Sequence, residues 1–373
     1  MVDKAKCTGC SACAAVCPKG AITMEPDENG FLYPVVDQNR CVRCGKCHRA
    51  CLPAWEAVDE PAEEAFLAMA QDESLIQKSS SGGVFSLLAE GILRRGGVVF
   101  GCAMTDDCTA AHHIGVEDLS QLWQLRGSKY VQSRTKDALR QAEIALKVDR
   151  PVLFSGTPCQ IAGVKGLLGD HENLLTVDVI CHGVPSPMVW RTYLKELEQT
   201  CGAKAVRVRF RDKTEGWQRY SLVVEFENGK VYRKNVLEDL YLRGFVEDLY
   251  LRQSCHSCAF KGGNYKSDLT VGDLWGVARI RPELRSAAGV SLLIPHTDAG
   301  RKAIASLTGC TVEQIPAEEG LKHNPSYYRP VKPSPFRERA LAQIRRRGTG
   351  KTLHKYCGNS LGAKLRKKLG GRR

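Results

Sequence analysis

The sequence has no apolar run long enough to cross a lipid bilayer. A spanning helix needs about 20 consecutive apolar residues, and the most apolar stretch, residues 97–104, is much shorter. The first six residues, Met-Val-Asp-Lys-Ala-Lys, also lack the apolar segment of a secretory signal. We therefore expect no transmembrane segment and a cytoplasmic protein.

Features of nucleic-acid-binding proteins are missing as well, although the chain is basic. The net charge is +13 over 373 residues, but no recognition motif or interleaved aromatic patch accompanies it, so nucleic acid is not an expected partner. Part of the charge lies in residues 336–373, which we predict to be a basic C-terminal tail. Such a tail is either simply solvated or a docking surface for an acidic redox partner, and it could also attract anionic cofactors.

Cysteine, in contrast, is abundant and regularly spaced. Seventeen cysteines in a chain without an export signal favour thiolate chemistry over disulfides. Eight of them form two copies of the pattern Cys-x2-Cys-x2-Cys-x3-Cys, and each cysteine of the first copy recurs 34 positions later: Cys7, Cys10, Cys13 and Cys17, then Cys41, Cys44, Cys47 and Cys51. This is the spacing of bacterial ferredoxins that carry two [4Fe–4S] clusters.

In that arrangement each cluster takes three cysteines from one loop and the fourth from the other repeat. The predicted ligand sets are therefore Cys7, Cys10, Cys13 and Cys51 for one cluster, and Cys41, Cys44, Cys47 and Cys17 for the other. Pro18 follows the first set directly, as the pattern requires, whereas Pro53 comes one place late after the second. The alternatives are a disulfide knot or two zinc sites, but zinc usually takes its four ligands from two short pairs.

The chain is too long for a single ferredoxin module, and its length indicates further domains. We predict a fold of the α+β and α/β classes, in which a ferredoxin-type 2[4Fe–4S] domain precedes an α/β flavin-binding region with an antiparallel β insertion. The predicted divisions are a ferredoxin domain over 1–55, a linker over 56–65, an α/β region over 66–175, a cysteine-bearing region over 176–335 and the tail over 336–373.

Hydrophobic periodicity and glycine punctuation place the individual elements. The predicted strands are 21–24, 31–36, 98–101, 151–154, 174–181 and 268–273, and the predicted helices are 84–93, 135–148, 161–168 and 239–251. Residues 206–234 alternate instead with period two around an Asn-Gly turn, which predicts the antiparallel insertion.

Four further cysteines stand where a third metal centre could form. Cys159 and Cys181 each follow a predicted strand, and Cys255 and Cys258 form a Cys-x2-Cys pair. Four thiolates suit a third cluster or a zinc ion, and the spacing alone does not choose between them. Inert buried cysteines and a redox dithiol are the alternatives. His182, beside Cys181, would either tune such a centre through a hydrogen bond or be structural.

Two segments offer groups that could bind an anionic cofactor. The Ser-Ser-Ser-Gly-Gly run at residues 79–83 precedes a predicted helix, where backbone N–H groups are suited to phosphate. The same run is also an ordinary helix N-cap. Residues 126–133, Arg-Gly-Ser-Lys-Tyr-Val-Gln-Ser, combine cations, an aromatic ring and polar donors, which suits a planar anionic cofactor or a solvated loop.

Taken together in this order, several motifs resemble the coenzyme F420 hydrogenase/dehydrogenase beta-subunit family. They are Ser81-Gly82-Gly83-Val84-Phe85, Arg126-Gly127-Ser128-Lys129-Tyr130, Gly156-Thr157-Pro158-Cys159-Gln160, Cys181-His182-Gly183-Val184-Pro185-Ser186-Pro187, Cys255-x2-Cys258 and Thr270-Val271-Gly272-Asp273-Leu274-Trp275-Gly276. The resemblance covers roughly residues 66–335. The family includes beta subunits of F420-reducing hydrogenases and F420-dependent formate dehydrogenases, and also 7-hydroxymethyl chlorophyll a reductase.

The resemblance implies FAD in the α/β region and a nearby [4Fe–4S] cluster on Cys159, Cys181, Cys255 and Cys258. It implies flavin binding by Ser80, Ser81, Gly82, Gly83, Arg126, Ser128, Lys129, Gln132 and Thr157, with Lys129 and Tyr130 as candidate catalytic residues. The expected activity is electron transfer between a ferredoxin-like or other redox protein and a small acceptor at the flavin, either coenzyme F420 or another organic molecule. A non-catalytic electron-transfer subunit of a larger redox complex and a redox sensor with structural clusters are the alternatives.

Overall fold

The structure is a computed structural model that describes residues 2–51, 62–284 and 288–358. Most of the predicted linker and the basic residues beyond position 358 lie outside these ranges. Within them, no helix is both long and apolar enough to cross a membrane.

The N-terminal module is built around a hairpin, as the sequence predicts. Strands β1 (Ile22–Pro26) and β2 (Leu32–Val36) pair antiparallel. The turn between them contains Gly30 with a φ of 82°, and the Asp27 carboxylate accepts hydrogen bonds from the backbone N–H groups of Asn29 and Phe31. Two one-turn helices, α1 (Ala12–Ala15) and α2 (Lys46–Arg49), carry the third cysteine of each loop.

A nine-stranded mixed sheet forms the centre of the remaining chain. Its strands are β3 (Ala65–Ala70), β4 (Val98–Met104), β5 (Ala111–Val116), β6 (Ser133–Arg134), β7 (Val152–Gly156), β8 (Leu174–Val179), β12 (Leu269–Asp273), β13 (Ser291–Pro295) and β14 (Cys310–Ile315), in the order β14-β3-β13-β12-β8-β7-β4-β5-β6. The middle strands β12, β8, β7 and β4 are parallel, while β3, β13 and β14 pair antiparallel beside them. Ligand sites of such sheets lie at the carboxyl ends of the parallel strands.

The helices that position these strand ends begin at clear sequence signals. Helix α4 (Val84–Leu93) starts after Gly83, which has a φ of 90°, as predicted. Helix α6 (Pro158–Leu168) starts three residues before its predicted first residue, because Thr157 and Gln160 form a capping box and Pro158 fits the first turn. Helix α5 (Lys136–Lys147) matches the predicted helix closely.

The nine-stranded sheet extends across the predicted division of the chain at residue 175. That boundary would cut strand β8, and β3 from the first region pairs with β13 and β14 from the second. Strands from both predicted regions therefore belong to one sheet, and Ala65, predicted to end the linker, is its first buried strand residue.

The antiparallel insertion is present as predicted. Strands β9 (Ala205–Asp212), β10 (Ser221–Phe226) and β11 (Val231–Asn235) form a separate three-stranded sheet. Helices α7 (Pro187–Cys201) and α8 (Leu240–Val246) flank it. Helix α8 ends five residues before the predicted end at 251, because Asp248 has a φ of 56° and Leu251 bridges to Pro185.

The predicted basic tail is helical where the structure describes it. Helices α13 (Arg337–Arg347) and α14 (Thr349–Cys357) pack in the same core cluster as α7 and α8, so this segment is not a solvated tail. The remaining described elements are shorter: helices α3 (Glu73–Gln77), α9 (Val277–Ile280), α10 (Asp298–Ala305), α11 (Ala317–Leu321) and α12 (Pro325–Tyr328), and 3-10 turns at Leu119–Gln124, Gln253–Ser257 and Pro282–Leu284.

The N-terminal module is docked on this body through buried polar contacts. Arg252 is 0% exposed, and its guanidinium donates to the carbonyls of Cys7 (2.8 Å) and Leu32 (2.9 Å). The Gln132 side chain accepts from the backbone N–H of Leu32 at 3.0 Å. Helix α1 packs against α5 and α6. The first cysteine loop is thus held against the carboxyl edge of the parallel strands.

Candidate functional site

A cavity of about 480 Å³ lies at the carboxyl ends of the parallel strands. Its walls come from the loop before α4, from residues 125–133 and from the segments that follow β7, β8 and β12. Thr8 and Gly9 of the first cysteine loop complete one side. The cavity has the size of a cofactor or small-molecule site and the position at which such sheets bind ligands.

The first predicted ligand set converges in the structure. Burial raises the pKa of the Cys13 thiol, and the neighbouring thiols of Cys10, Cys7 and Cys51 raise it further. Burial likewise raises the pKa of Cys10, with Cys7 and Cys51 again contributing. The structure therefore brings the last cysteine of the second repeat to the first loop, which is the exchange that the doubled pattern predicts.

Part of the second set packs beside Cys13 of the first set. Cys17 and Cys47 pack on one small apolar cluster with Ile22, and the backbone N–H of Ala21 donates to the Cys17 sulfur at 3.2 Å. Cys41 is half-buried and Cys44 is exposed, both on the loop between β2 and α2. This loop places the predicted second cluster at the surface.

Cys159, Cys181 and the pair Cys255 and Cys258 come together from three places in the chain. Burial, with additional repulsion from the neighbouring thiols, raises the pKa of Cys181 and of Cys255 to about 12. The pKa of Cys159 is raised by burial first and then by Cys258 and Cys181. Cys159 and Cys258 also pack on the same apolar pair, Ala162 and Phe260. We call these four residues the third-centre cysteines.

The chemistry of this set fits an iron–sulfur cluster. Four buried thiolates would repel one another strongly unless a bound cation compensated their charge. The backbone N–H of Val184 donates to the Cys255 sulfur at 3.3 Å, and the Thr157 hydroxyl lies 3.2 Å from the Cys159 sulfur, contacts of the kind that tune clusters. Across the described residues, no three metal-binding side chains converge tightly enough for a single ion. Four thiolates suit a third cluster or a zinc ion, and the family resemblance favours the cluster.

The first loop and the third-centre cysteines are direct neighbours. The Cys10 sulfur lies 3.0 Å from the position that a Cβ would occupy at Gly163, one helical turn after Cys159 on α6. Cys10 also contributes to the raised pKa of Cys159. The Thr135 hydroxyl donates to the Cys10 carbonyl at 2.8 Å. Cys10, of the first predicted iron site, therefore packs directly on the helix that carries Cys159 of the third-centre cysteines.

The predicted flavin residues meet at the cavity, with one exception. Ser80, Ser81, Gly83, Arg126, Ser128, Lys129, Gln132 and Thr157 all line it, and so does Tyr130. Gly82 does not: its N–H is bonded to the Ser291 hydroxyl at 3.0 Å, and a Cβ there would lie 2.5 Å from the Ala68 carbonyl oxygen. Gly82 allows close packing of the loop on β3 and β13, and its N–H already donates to Ser291, whereas its role in flavin binding stays a prediction.

Serines and an arginine shape the cavity wall at the start of α4. The Ser80 hydroxyl accepts from the Ser128 backbone N–H at 2.9 Å, which joins the two predicted cofactor segments. The Arg126 guanidinium donates through Nε to the Ser86 hydroxyl at 3.0 Å. A fixed cation beside a helix N-terminus provides an anion-binding arrangement.

The two candidate catalytic residues have different surroundings. Lys129 donates to the carbonyls of Gln124 and Arg126, both at 2.8 Å, and burial lowers the pKa of its ammonium to about 8. Tyr130 stacks on Phe245 with ring centroids 4.7 Å apart, and burial raises the pKa of its hydroxyl. The Lys129 ammonium therefore helps to hold the conformation of its own loop, whereas Tyr130 presents an aromatic surface to the cavity.

A buried arginine at the cavity was not identified from the sequence. Arg211 pairs with Asp273 at 2.7 Å and lies over the ring of Tyr220 at 4.7 Å. Burial opposes its charge, but Asp273 keeps the pKa of the guanidinium raised. The Trp275 ring, whose centre lies 5.6 Å from the Arg211 guanidinium, provides a second aromatic face. Asp273 and Trp275 belong to a motif that the sequence did single out, but nothing indicated that Arg211 faces the same space.

His113 and His182 also line the cavity. Burial lowers the pKa of His113 to about 4, so its ring is neutral, and it is held by the Ser133 hydroxyl and the Ser155 carbonyl, each at 3.0 Å. His182 pairs with the buried Asp248 at 2.7 Å. His182 is thus oriented by a carboxylate, which favours the structural one of its two predicted roles.

Comparison with known proteins confirms the resemblance seen in the sequence. Residues 149–317 match the carboxyl-terminal part of the beta subunits of coenzyme F420 hydrogenase/dehydrogenase. Residues 6–54 match the 4Fe-4S dicluster domain. The chain is therefore an iron–sulfur protein with a ferredoxin-type dicluster domain ahead of an oxidoreductase-related domain.

Three curated proteins of Methanocaldococcus jannaschii share parts of the sequence. Coenzyme F420-dependent sulfite reductase is 30% identical over 173 residues, which is 45% of this chain and 26% of that protein. An uncharacterized ferredoxin is 43% identical over 51 residues, 14% of this chain and 65% of that protein. An iron-sulfur subunit of CoB–CoM heterodisulfide reductase is 37% identical over 76 residues, 17% of this chain and 12% of that protein. The chain spans less than two thirds of each of these relatives.

Among solved structures, a chain of the F420-reducing [NiFe] hydrogenase complex from Methanosarcina barkeri aligns with 82% of this chain and 97% of its own length. The TM-score is 0.47 and the sequence identity is 18%.

Proposed function

We propose that this chain, which carries the carboxyl-terminal domain of coenzyme F420 hydrogenase/dehydrogenase beta subunits behind a 4Fe-4S dicluster domain, is a cytoplasmic flavin-dependent oxidoreductase. It would pass electrons between a redox protein and a small organic acceptor at the cavity. The observation that carries the proposal is the composition of the cavity wall: the third-centre cysteines Cys159 and Cys181 line one part, and the predicted flavin residues line the rest.

A flavin suits this position because one-electron transfer by the clusters must be converted there into two-electron reduction of an organic molecule. Clusters carry single electrons, while a flavin when bound collects two electrons and a proton and delivers them to an organic molecule. The residues present fit such a cofactor: a helix N-terminus and Arg126 provide for phosphates, and Tyr130 provides an aromatic face. Twelve cysteines, arranged as two ferredoxin sets and the third-centre cysteines, would hold three clusters.

The protein groups have separate tasks in this proposal. Ser80 and Ser128 tie the two binding segments together, so that the anion site is preformed. Arg126 places a charge at the start of α4, where its contact with Ser86 fixes it. The stacked Tyr130 and Phe245 exclude water from the far wall. Arg211, buried against Asp273, offers a cation to the other end of the cavity, where an acceptor would dock.

The test is flavin content in a matched pair of variants. Anaerobically purified protein should release FAD on denaturation, and Arg126→Gln should lower the FAD content by about tenfold through the loss of a charged hydrogen-bond partner. Arg150→Gln is the control, because Arg150 donates to the Gly96 carbonyl beyond the other end of α4 and does not line the cavity. Flavin-free protein with intact clusters, or equal loss in both variants, would contradict the proposal.

The acceptor is tested next on the flavin-loaded chain. Dithionite should bleach the flavin, and reoxidation by coenzyme F420 would establish the specific activity suggested by the family match. Reoxidation by another organic acceptor would keep the class of enzyme and change the substrate.

A second candidate function is that of a non-catalytic electron-transfer subunit. It is favoured by the match to only part of a longer reductase, in which the shared segment covers 26% of the protein. A chain of this kind would hold its clusters but reduce no small molecule by itself. Clusters that are reduced while no acceptor reoxidises the protein would support that function, and clusters that exchange no electrons would support redox sensing.

A further inference from the structure

One face of the N-terminal module is strongly basic and faces solvent. It consists of the second cysteine loop and helix α2, residues 40–49, and we call it the second-loop face. Arg40, Arg43, Lys46 and Arg49 are all exposed there, and residues 38–51 contain no acidic side chain. Lys19 on the neighbouring turn is also exposed and is linked to the face through its carbonyl, which accepts from Arg40 at 2.8 Å.

Three of these cations have no acidic partner among the residues that the structure describes. Arg43, Lys46 and Arg49 form no ion pair with any other described residue. One carboxylate, Glu143, lines the cleft beside Lys46 and Arg49, but it is paired with Lys147 at 2.7 Å. Such a concentration of unpaired charge of one sign produces a local positive field that attracts acidic molecules.

The second-loop face is also the outward side of the module. The first loop contributes Thr8 and Gly9 to the cavity, whereas no residue of 38–51 lines it. Cys44, a predicted cluster ligand, is itself exposed, and its neighbour Val42 is 56% exposed. An exposed apolar residue within a charged rim is typical of a small transient interface.

We infer that the second-loop face is the docking surface for a small acidic one-electron carrier protein. The inference rests on the proposed function, since a docking face for such a carrier is useful only to a protein that exchanges electrons. An acidic carrier is the occupant that the charge selects, and the exposed Cys44 allows it to bring its own redox centre close to a predicted cluster. Charge complementarity of this kind mainly raises the association rate and fixes orientation.

The test compares two double variants with the same change in net charge. Arg43→Glu with Lys46→Glu reverses the second-loop face. Lys302→Glu with Lys322→Glu is the control, because both lysines are exposed and lie on or beside α10 and α11, which pack against β13 and β3. Binding of a purified, strongly acidic 2[4Fe–4S] ferredoxin to the full chain is measured at low salt and at about 0.5 M salt.

At low salt the second-loop variant should bind the ferredoxin about tenfold more weakly than the wild type, and the control should stay within about twofold. At high salt the affinities of all three proteins for the ferredoxin should become equal, because exposed charges are screened over a few ångströms there. Equal weakening in both variants would show that only net charge matters and would overturn the inference. So would unchanged binding in the second-loop variant, or no binding by the wild type.

Folding and the proposed function are checked separately. Iron content shows whether the second cluster survives the substitutions, and the milder Arg43→Gln with Lys46→Gln should weaken binding in the same direction by about threefold if Glu disturbs the loop. Flavin content should be equal in all variants. Wild-type protein that binds the ferredoxin but contains no flavin would refute the proposed activity and leave the docking surface standing.

Discussion

Arg252 should hold the N-terminal module on the rest of the protein, and replacing it tests how the predicted iron sites are kept together. Its guanidinium is fully buried and donates to the carbonyls of Cys7 and Leu32 at 2.8 and 2.9 Å. It also lies 4.2 Å from the ring centre of Tyr33. Arg252→Met removes these contacts and keeps most of the packing volume.

The cost can be estimated from the contacts. A hydrogen bond to a charged group contributes about 1.5 kcal/mol at the low end of its range, and a desolvated cation–π contact about 1–2 kcal/mol. Relief of the buried charge offsets part of this loss. We therefore expect the substitution to destabilise docking by about 3–4 kcal/mol, which corresponds to roughly 100- to 1000-fold in the docking equilibrium.

Hydrogen exchange reports this change at the interface itself. The Leu32 amide donates to Gln132 at 3.0 Å, and the Met188 amide donates to the Asn29 carbonyl at 3.1 Å, so both cross the interface. Their exchange should accelerate by the factor given above, within the limit set by their protection in the wild type. Amides of β10, whose side chains Leu222 and Val224 pack in a core cluster without residues of the module, serve as the internal reference.

Arg345→Met provides the matched control. Arg345 also reaches the module, where it pairs with Glu28 at 3.2 Å, but its side chain is 30% exposed. An exposed pair contributes about 1 kcal/mol or less, so exchange should change by no more than about fivefold. The reasoning is refuted if Arg252→Met leaves the interface amides protected, or if Arg345→Met has the larger effect.

Three further predictions concern the iron and cofactor sites. Cys17→Ser and Cys44→Ser should each remove about four irons, because both residues serve one cluster. For the same reason, the double variant should lose no more iron than either single variant. Additive loss of iron would mean that the fourth ligand is not exchanged between the repeats. Cys258→Ala should remove about four irons while Cys310→Ala removes none, and unchanged iron in the first would make the third-centre cysteines structural. Lys129 loses its charge as the pH rises through about 8. The affinity of the wild type for FAD should therefore fall between about pH 7 and 9, whereas the affinity of Lys129→Met should not change with pH. The same pH dependence in both proteins would exclude the Lys129 charge as the cause.

The cysteine sites and many elements were predictable because their determinants are local. Helix α4 is bounded by Gly83 and by the Gly96-Gly97 pair, and the hairpin of the module is set by Asn29-Gly30. The doubled spacing also implies that Cys51 joins the first loop, since the fourth cysteine of each repeat in this pattern serves the other cluster.

What could not be predicted depends on contacts between distant parts of the chain. Strand β3 pairs with β14, more than two hundred residues later, so no local pattern shows that the predicted regions share a sheet. Gly82 resembles a phosphate-loop glycine, and only its approach to Ala68 shows that packing requires it. Arg211 follows alternating arginines that suggest a solvent face, yet its side chain is 6% exposed because the insertion folds over the cavity.

Helix α6 also sets the electronic distance between two predicted iron sites. Cys159 lies in its first turn, and Gly163 one turn later is where Cys10 rests. Residues four apart on a helix are about 5–6 Å from each other, and this distance does not change while the helix is folded. Tunnelling rates fall exponentially with separation, so one turn of this helix would act as a fixed spacer between clusters held at Cys10 and Cys159. A side chain at position 163 would crowd Cys10 and push the first cysteine loop away from α6, which would lengthen that separation.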